Sequence, residues 1–221
     1  MGEAVSSYER SDYRILTKQI KSRLSYGQVI EDCQASLKRL GVEYVDYFVC
    51  HAPNAEFDMR DFFRAANQLY KDGRIKNVGV SNFGPRMLQL ALDTSDLPIA
   101  CNQVCFSVAD DDVLSTSTYE FCLKNNIPIQ AYRTLVSLDA NKEAEMKLKI
   151  VAKQHQVTIR QALIAYINSY ENMTFTIKSS SSKHWQEIKD ALEIKLTPEE
   201  ISAVRNTHRN KEGAFKGFLL V

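Results

Sequence analysis

Short β-rich runs alternate with helical patterns along all 221 residues, and this alternation constrains the fold more than any other feature of the chain. Repeated strand–helix units imply parallel strands joined by helical crossovers. The runs are almost continuously apolar, as expected for strands that are buried on both faces. The sequence predicts six strands, at residues 14–18, 45–51, 76–82, 100–107, 128–132 and 175–178.

Three capping boxes mark where helices begin, at Ser25, Thr158 and Thr197. The first of these helices is expected to run to about Leu40, with Gly41 at its C′ position. Thr197 is followed by proline, which suits the first position of a helix. Further helices are predicted at residues 61–71, 86–92, 116–124 and 142–154.

Two architectures are compatible with this pattern. A doubly wound sheet that binds a dinucleotide is expected to carry G-x-G-x-x-G after an early strand, and the chain has no such motif. A (β/α)8 TIM barrel instead carries polar residues at strand C-termini and often a phosphate site after its last strands. The sequence favours the barrel because the predicted strands end on Lys18, His51, Ser81-Asn82, Tyr132 and Lys178.

Composition narrows the range of functions. A net charge of +1 gives no strong field for nucleic acid or an acidic membrane. There is no apolar run of about 18 residues, which a membrane-spanning helix would need, and the N-terminus has no signal-peptide apolar core. Met1–Ser6 fits a myristoylation pattern. No polybasic segment follows it, although stable membrane anchoring needs such a second signal. Five cysteines without a C-x-x-C pair suit a reducing cytoplasm and suggest no metal site.

Several polar residues at the strand ends could carry chemistry or could serve the fold. His51 could act at a site or be satisfied by backbone groups. Ser81 and Asn82 could contact a ligand or cap the helix near Pro85. Gln103, inside a predicted strand, needs partners for its amide, which a ligand or a neighbouring loop could provide.

The last two candidates follow later strands. Tyr132 could form a stacking wall or belong to the aromatic core. Lys178 and the four serines after it could bind phosphate at a helix N-terminus, or form a flexible loop with a capping serine.

Taken in order, these segments resemble the aldo/keto reductase family. The stretches that carry the resemblance are SLKRLGVEYVDYFVCHAP, GRIKNVGVSNF, NQV, QAYRTL and IKSSSSKHWQEI. The resemblance covers nearly the whole chain, and GVSNF together with the strand-end H-x-P is fairly specific. It implies a (β/α)8 barrel that transfers hydride between NADPH and the carbonyl carbon of a small molecule.

The resemblance also implies a role for each candidate. Lys18 and His51 match the catalytic lysine and histidine, and Tyr132 matches the ring that stacks on the nicotinamide. The remaining matches concern the cofactor: Ser81, Asn82 and Gln103 for the carboxamide, Lys178 and Ser179 for the adenosine 2′-phosphate, and Glu187 near the adenine. Ser180 and His184 are also expected to be cofactor-binding residues.

Three positions depart from the family pattern. Ile177 stands where proline is common, His184 where arginine is common, and Ile188 where asparagine is common. An imidazole is a poorer phosphate partner than a guanidinium. NADPH is therefore favoured as the cofactor, and NADH remains possible.

The family's acid is a tyrosine, which acts with an aspartate in a pattern resembling D-x-A-x-x-Y-G. In the family this pattern precedes a helix that Gly2–Val5 resembles, so the tyrosine, the aspartate and the first two strands are expected before Met1. The chain is thus predicted to be a single barrel domain over residues 1–221, truncated at its N-terminus, with strands three to eight present. Tyr47 lies on the face of His51 but roughly 13 Å down the strand, too far to substitute.

Three functions follow from these expectations. The first is an NAD(P)H-dependent carbonyl oxidoreductase, with little activity expected of this chain alone. The second is a non-catalytic nucleotide-binding or regulatory homologue, and the third is a non-functional fragment. The sequence points to a cytoplasmic protein that uses a small-molecule carbonyl substrate, and it indicates no particular oligomeric state.

Overall fold

The computed structural model describes residues 2–135 and 141–207. The chain divides into two compact units, Met1–Gln103 and Val104–Leu220. Each unit alternates strands with helices, and each is described here by itself.

In the first unit, four strands pair in chain order and every pair is parallel. This arrangement confirms the predicted parallel α/β fold. The last strand extends two residues into the second unit. The elements are α1 (Gly2–Val5), a 3₁₀ helix (Arg10–Asp12), β1 (Leu16–Gln19), α2 (Tyr26–Leu40), β2 (Val45–Cys50), α3 (Met59–Lys71), β3 (Ile75–Ser81), α4 (Pro85–Thr94) and β4 (Ile99–Cys105).

The second unit is richer in helix, and its two complete strands are parallel neighbours. Its elements are α5 (Asp112–Ser115), α6 (Thr118–Lys124), β5 (Ile129–Tyr132), α7 (Lys142–Gln154), α8 (Ile159–Asn168), β6 (Met173–Phe175), α9 (Ser182–Leu192) and α10 (Pro198–Arg205).

All three predicted capping boxes are present, at the starts of α2, α8 and α10. The predicted end of α2 is also confirmed. Gly41 has a left-handed backbone with φ of 69°, and its N–H donates to the Leu37 carbonyl at 2.9 Å. A glycine adopts this conformation without the steric penalty of a Cβ.

Two boundary predictions are wrong. The predicted strand at 175–178 lies earlier, as β6 (Met173–Phe175), because its partner β5 ends at Tyr132 and the last ladder bond runs from Thr176 N–H to the Ala131 carbonyl. Lys178 therefore follows a short connection. The predicted helix at 116–124 begins two residues later, as α6, because its N-cap residue Ser117 has a φ of 59°, which a right-handed helix excludes.

Aromatic side chains fill the core of each unit. In the first unit, Phe62 stacks on Phe48 with ring centroids 5.8 Å apart and meets Phe63 edge-on at 5.2 Å. In the second, Phe106 meets Tyr170 edge-on at 5.1 Å, and the Tyr170 hydroxyl lies 2.8 Å from that of Tyr166. These clusters hold the helices against the strands whose ends carry the polar residues.

Residues 2–135 and 141–207 contain neither a membrane-spanning helix nor a cluster of potential metal ligands. None of the helices there has the length and apolarity needed to cross a membrane. The same residues contain no group of three His, Cys, Asp or Glu side chains placed to hold a metal ion.

A buried carboxylate holds the segment before β1 against β2. Asp46 accepts a hydrogen bond from Arg10 at 2.6 Å and another from the Ile15 backbone N–H at 2.8 Å. The Arg10 guanidinium also lies over the Tyr44 ring, 4.1 Å from its centroid. Asp46 is only 6% exposed, so these bonds replace most of its hydration.

We predict that Asp46→Asn lowers the free energy of unfolding by about 2 kcal/mol, because the amide removes the negative charge to which Arg10 and the Ile15 N–H both donate hydrogen bonds. Urea denaturation of the full chain measures the change. Asp12→Asn, at an exposed position of the 3₁₀ helix, removes the same charge and is the control. Equal free energies of unfolding for the two variants would show that the charge of Asp46 does not stabilise the fold.

Candidate active site

The register of the first unit places several predicted site residues on one face of the strands. Lys18 pairs with Val49, Val49 pairs with Gly79, and Ser81 pairs with Gln103. Side chains alternate between faces with a period of two. The residues that share the face are therefore Lys18, Val49, His51, Gly79, Ser81, Cys101 and Gln103.

Gly79 permits close packing on this face. A Cβ at this position would lie 2.8 Å from the Cys101 sulfur and 3.2 Å from a Val49 methyl. The side chains of β2 and β4 thus approach each other across β3. A larger residue at 79 would push apart the strands that carry the site.

Hydrogen bonds join four of the predicted residues. The Lys18 ammonium donates to the Ser81 hydroxyl at 3.1 Å. The Asn82 amide donates to the same hydroxyl at 3.2 Å and to the His51 carbonyl at 3.1 Å. Asn82 has a φ of 62°, a left-handed conformation that asparagine tolerates better than most residues.

These bonds bear on the helix-cap alternative for Ser81 and Asn82. Helix α4 begins after Gly84, which is its N-cap and provides no side-chain hydrogen bond to it. The two polar side chains instead bond to Lys18 and to the backbone of His51. The helix-cap alternative is therefore wrong.

Burial divides the residues of this face into two layers. Ser81 has no exposed surface, and Asn82 and Gln103 are only 4% and 5% exposed. Lys18 is half-buried, and His51 is exposed. The buried layer thus supports the two side chains that solvent can reach.

Burial and two neighbouring thiols determine the pKa of Lys18. Burial lowers the pKa of Lys18, while Cys101 and Cys50 act in the opposite direction. Burial also raises the pKa of the Cys50 thiol to about 12 and that of the Cys101 thiol to about 11. At neutral pH both thiols are therefore protonated, and neither offers Lys18 a negative charge.

His51 has a neutral imidazole at neutral pH. Burial lowers its pKa first, and the charges of Lys18 and Lys21 lower it further. Over residues 2–135 and 141–207, no hydrogen bond to the ring is found, so the ring is not satisfied by backbone groups. Its ring nitrogens can therefore serve a bound molecule.

Gln103 lies beside this group. Its backbone carbonyl accepts a hydrogen bond from the Asn82 N–H at 2.8 Å. The pairing of β3 with β4 therefore aligns Gln103 with Ser81. The prediction that Gln103 lies inside a strand is confirmed.

The second unit holds the other predicted residues. Tyr132 ends β5 and is half-buried, and its carbonyl accepts a hydrogen bond from the Phe106 N–H at 3.3 Å. A cavity of about 220 Å³ lies beside the start of α9. It is lined by Leu135, Arg160, Ile177, Lys178, Ser179, Ser180, His184 and Ile188.

The cavity brings together four of the predicted cofactor residues, Lys178, Ser179, Ser180 and His184, and leaves Glu187 out of its lining. The Ser179 hydroxyl accepts a hydrogen bond from the Ser181 N–H at 3.1 Å, which closes a tight turn. Ser181 is the N-cap of α9, but its side chain makes no capping bond. The alternative of a capping serine is therefore wrong.

Sequence reasoning missed Arg160. The residue lies within the capping box at Thr158. That motif indicates the start of a helix and carries no signal for a ligand. Its position in the cavity follows from the packing of α8 against α9, which includes a 3.5 Å contact from the Gln161 amide to the Glu187 carbonyl. No local motif signals that contact.

Comparisons with known proteins agree on one family. A family model described as "Aldo/keto reductase family" matches residues 1–209. An aldo-keto reductase of Mycobacterium sp. (strain JLS) is 38% identical over 102 residues, which are 46% of this chain and 37% of that protein. The NADPH-dependent alpha-keto amide reductase of Saccharomyces cerevisiae is 26% identical over 183 residues, 76% of this chain and 57% of that protein.

A solved structure gives the same result. The thermostable aldo-keto reductase Tm1743, crystallised with the inhibitor epalrestat, is 32% identical to this chain with a TM-score of 0.85. The match covers 93% of this chain and 75% of Tm1743, whereas the chain spans about 37% and 57% of the two curated relatives. On the evidence of motif, fold and sequence identity, the chain belongs to the aldo/keto reductase family.

Proposed function

We propose that the chain is an oxidoreductase of the aldo/keto reductase type, which transfers hydride between a nicotinamide nucleotide and the carbonyl carbon of a small molecule. The observation that carries the proposal is the hydrogen-bonded group of Lys18, Ser81, Asn82 and His51 at the ends of neighbouring parallel strands. In this proposal the six strands correspond to strands three to eight of the family's eight-stranded barrel.

The two solvent-accessible residues have distinct parts in the chemistry. A bound reduced nicotinamide would supply the hydride, and the carbonyl oxygen would then gain negative charge. The neutral His51 ring can donate its N–H to that oxygen, and the Lys18 ammonium stabilises the charge that develops there. The lowered pKa of Lys18 brings it nearer to the range in which it can also assist a proton transfer.

The Ser81 hydroxyl is suited to the carboxamide of the nicotinamide. It accepts hydrogen bonds from Lys18 and Asn82, so its own proton is directed elsewhere and can be donated. Because Ser81 is fully buried, we infer that binding displaces the Lys18 ammonium from Ser81. Lys18 would then be released towards the substrate as the cofactor binds.

We predict that Ser81→Ala weakens NADPH binding about fivefold, since one hydrogen bond from a buried hydroxyl is lost. Titration of the reduced nicotinamide's fluorescence measures the dissociation constant. Ser7→Ala, at an exposed position, is the control and is expected to bind like the wild type. An unchanged affinity of Ser81→Ala would remove Ser81 from the cofactor site.

The proton donor of the reaction distinguishes the two main functions. The family's acid tyrosine belongs to the pattern D-x-A-x-x-Y-G, which these 221 residues do not contain. The second candidate function is that of a nucleotide-binding homologue that does not turn over. The cavity beside α9 and the Lys18 group are compatible with either function.

We predict that the 221-residue chain binds NADPH but reduces small aldehydes and ketones far more slowly than roughly 1 per second, a rate typical of enzymes. Loss of reduced-nicotinamide absorbance across a panel of carbonyl compounds measures the rate. A rate at or above that value, abolished by Lys18→Met, would show that another group in the chain donates the proton.

We predict that Lys18→Met raises the free energy of unfolding, because folding removes the charge of Lys18 from water. The folded-state pKa lies below 10.5, so above the folded pKa the unfolded chain binds more protons than the folded one. The wild type therefore gains stability as the pH rises towards 10.5, and the advantage of the variant shrinks.

Urea denaturation at pH 7 and pH 9 tests this expectation. The cysteines titrate near 9 in the unfolded chain, so pH 9 is the upper limit. Lys38→Met, on the exposed side of α2, controls for the loss of a surface charge. A lower stability of Lys18→Met at pH 7 would assign Lys18 a structural role.

A further inference from the structure

The loop after β1, residues 20–25, is held by a buried side chain. The Arg23 backbone N–H donates to the Ile20 carbonyl at 3.2 Å, which closes a tight turn. Gln19, the last residue of β1, is buried, and its amide donates to the Arg23 carbonyl at 2.5 Å and to the Asp32 carboxylate at 2.8 Å. Breaking these bonds would leave a buried amide unsatisfied, so the loop is anchored to α2.

A second set of bonds joins this loop to the segment after β2. The His51 backbone N–H donates to the Gln19 carbonyl at 3.0 Å. Three residues later, the Asn54 amide donates to the Lys21 carbonyl at 2.9 Å. The Asn54 side chain is itself oriented by the Glu56 N–H, which donates to its carbonyl oxygen at 3.0 Å. The backbone of Lys21 therefore lies at a fixed place beside the segment that begins at His51.

Lys21 brings a second positive charge to His51. The charges of Lys18 and Lys21 both lower the pKa of the His51 ring, so both ammonium groups lie within electrostatic reach of it. Lys18 is half-buried, whereas Lys21 and His51 are exposed. The nearby Arg23 differs, because its guanidinium pairs with the Asp32 carboxylate at 2.9 Å. The imidazole thus has a half-buried cation on β1 and an exposed cation on the loop after it.

These two charges are not offset at His51 by the carboxylates that the structure describes. Among the described residues, no aspartate or glutamate contributes to the pKa shift of Lys18 or of His51. Asp58, just before α3, accepts hydrogen bonds from the Arg60 side chain at 2.8 Å and from its backbone N–H at 3.0 Å. The end of β1 and the loop after it therefore attract an anion at neutral pH.

We propose that the carbonyl substrate of this site carries a carboxylate, which Lys21 binds while His51 and Lys18 bind the carbonyl oxygen. The inference rests on the proposed function and identifies its substrate class as oxo acids. A lysine ammonium has three donors on a flexible stem, and its hydrogen bonds to a carboxylate are among the stronger ones in proteins. Because Asn54 bonds to the backbone of Lys21, the position of the loop does not depend on the ammonium.

Two pairs of probes test the proposal: pyruvate against pyruvamide, and 4-carboxybenzaldehyde against 4-formylbenzamide. Each pair compares a carboxylate with a neutral amide of the same size, at a short or a long distance from the carbonyl. Isothermal titration calorimetry uses the full chain saturated with NADP⁺, which has no hydride to donate, at low salt because salt screens exposed charges. In at least one pair, the wild type is expected to bind the carboxylate about tenfold more tightly, and Lys21→Gln is expected to lose this preference.

Lys38→Gln is the matched control. Lys38 is an exposed lysine on α2, outside the loop, and its loss is expected to leave both affinities of each pair at the wild-type values. Lys21→Arg keeps the positive charge and is expected to keep the preference. Lys21→Met removes the charge but retains an unbranched side chain, so it gives the same test if Lys21→Gln does not fold.

The electrostatic step has its own test, which needs no nucleotide. NMR titration of the His51 ring in the free chain is expected to show a higher pKa in Lys21→Gln than in Lys38→Gln. The reason is that Lys21→Gln removes one of the positive charges that lower the pKa of His51.

Two results would overturn the proposal. One is a carboxylate preference that is absent from both pairs or equal in Lys21→Gln and Lys38→Gln, and the other is an unchanged pKa of His51 in Lys21→Gln. Failure of the proposed function gives a different pattern. In that case NADPH does not bind to the wild type, whereas the pKa of His51 still rises in Lys21→Gln.

Discussion

The in-register parallel pairing of β1 to β4 is the constraint on which the candidate site depends. It places Lys18, His51 and Ser81 on one face of three neighbouring strands, although they are 33 and 30 residues apart in sequence. Because side chains alternate with a period of two, a slip of one residue in β1 would turn Lys18 to the opposite face. Gly79 belongs to the same constraint, since a side chain there would collide with β4.

Within that frame, the site holds a half-buried cation, Lys18. Burial disfavours the Lys18 ammonium, and the neighbouring thiols of Cys50 and Cys101 are neutral at neutral pH. Asp46 shows the opposite arrangement, because its buried charge is matched by Arg10 and a backbone N–H. Under the proposed function, chemistry accounts for the half-buried Lys18 cation.

The sequence predicted the features that depend on local rules. Strand–helix alternation, the three capping boxes and the turn at Gly41 need only neighbouring residues, and polar residues after strands mark the site edge. The errors came from tertiary pairing and from backbone conformation: β6 lies where it pairs with β5, and the left-handed Ser117 delays the start of a helix predicted from residue 116. The hydrogen bonds that distinguish Ser81 as a partner of Lys18 from a helix cap also depend on contacts between distant residues.

Arg160 shows why a cavity-lining residue can escape a motif search. Lys178 and the serines after it form a recognisable stretch, but the cavity they line is completed by a side chain that precedes them by 18 residues and lies on another helix. The position of Arg160 follows from the packing of α8 against α9, so only the tertiary structure brings a second basic side chain into the space beside Lys178.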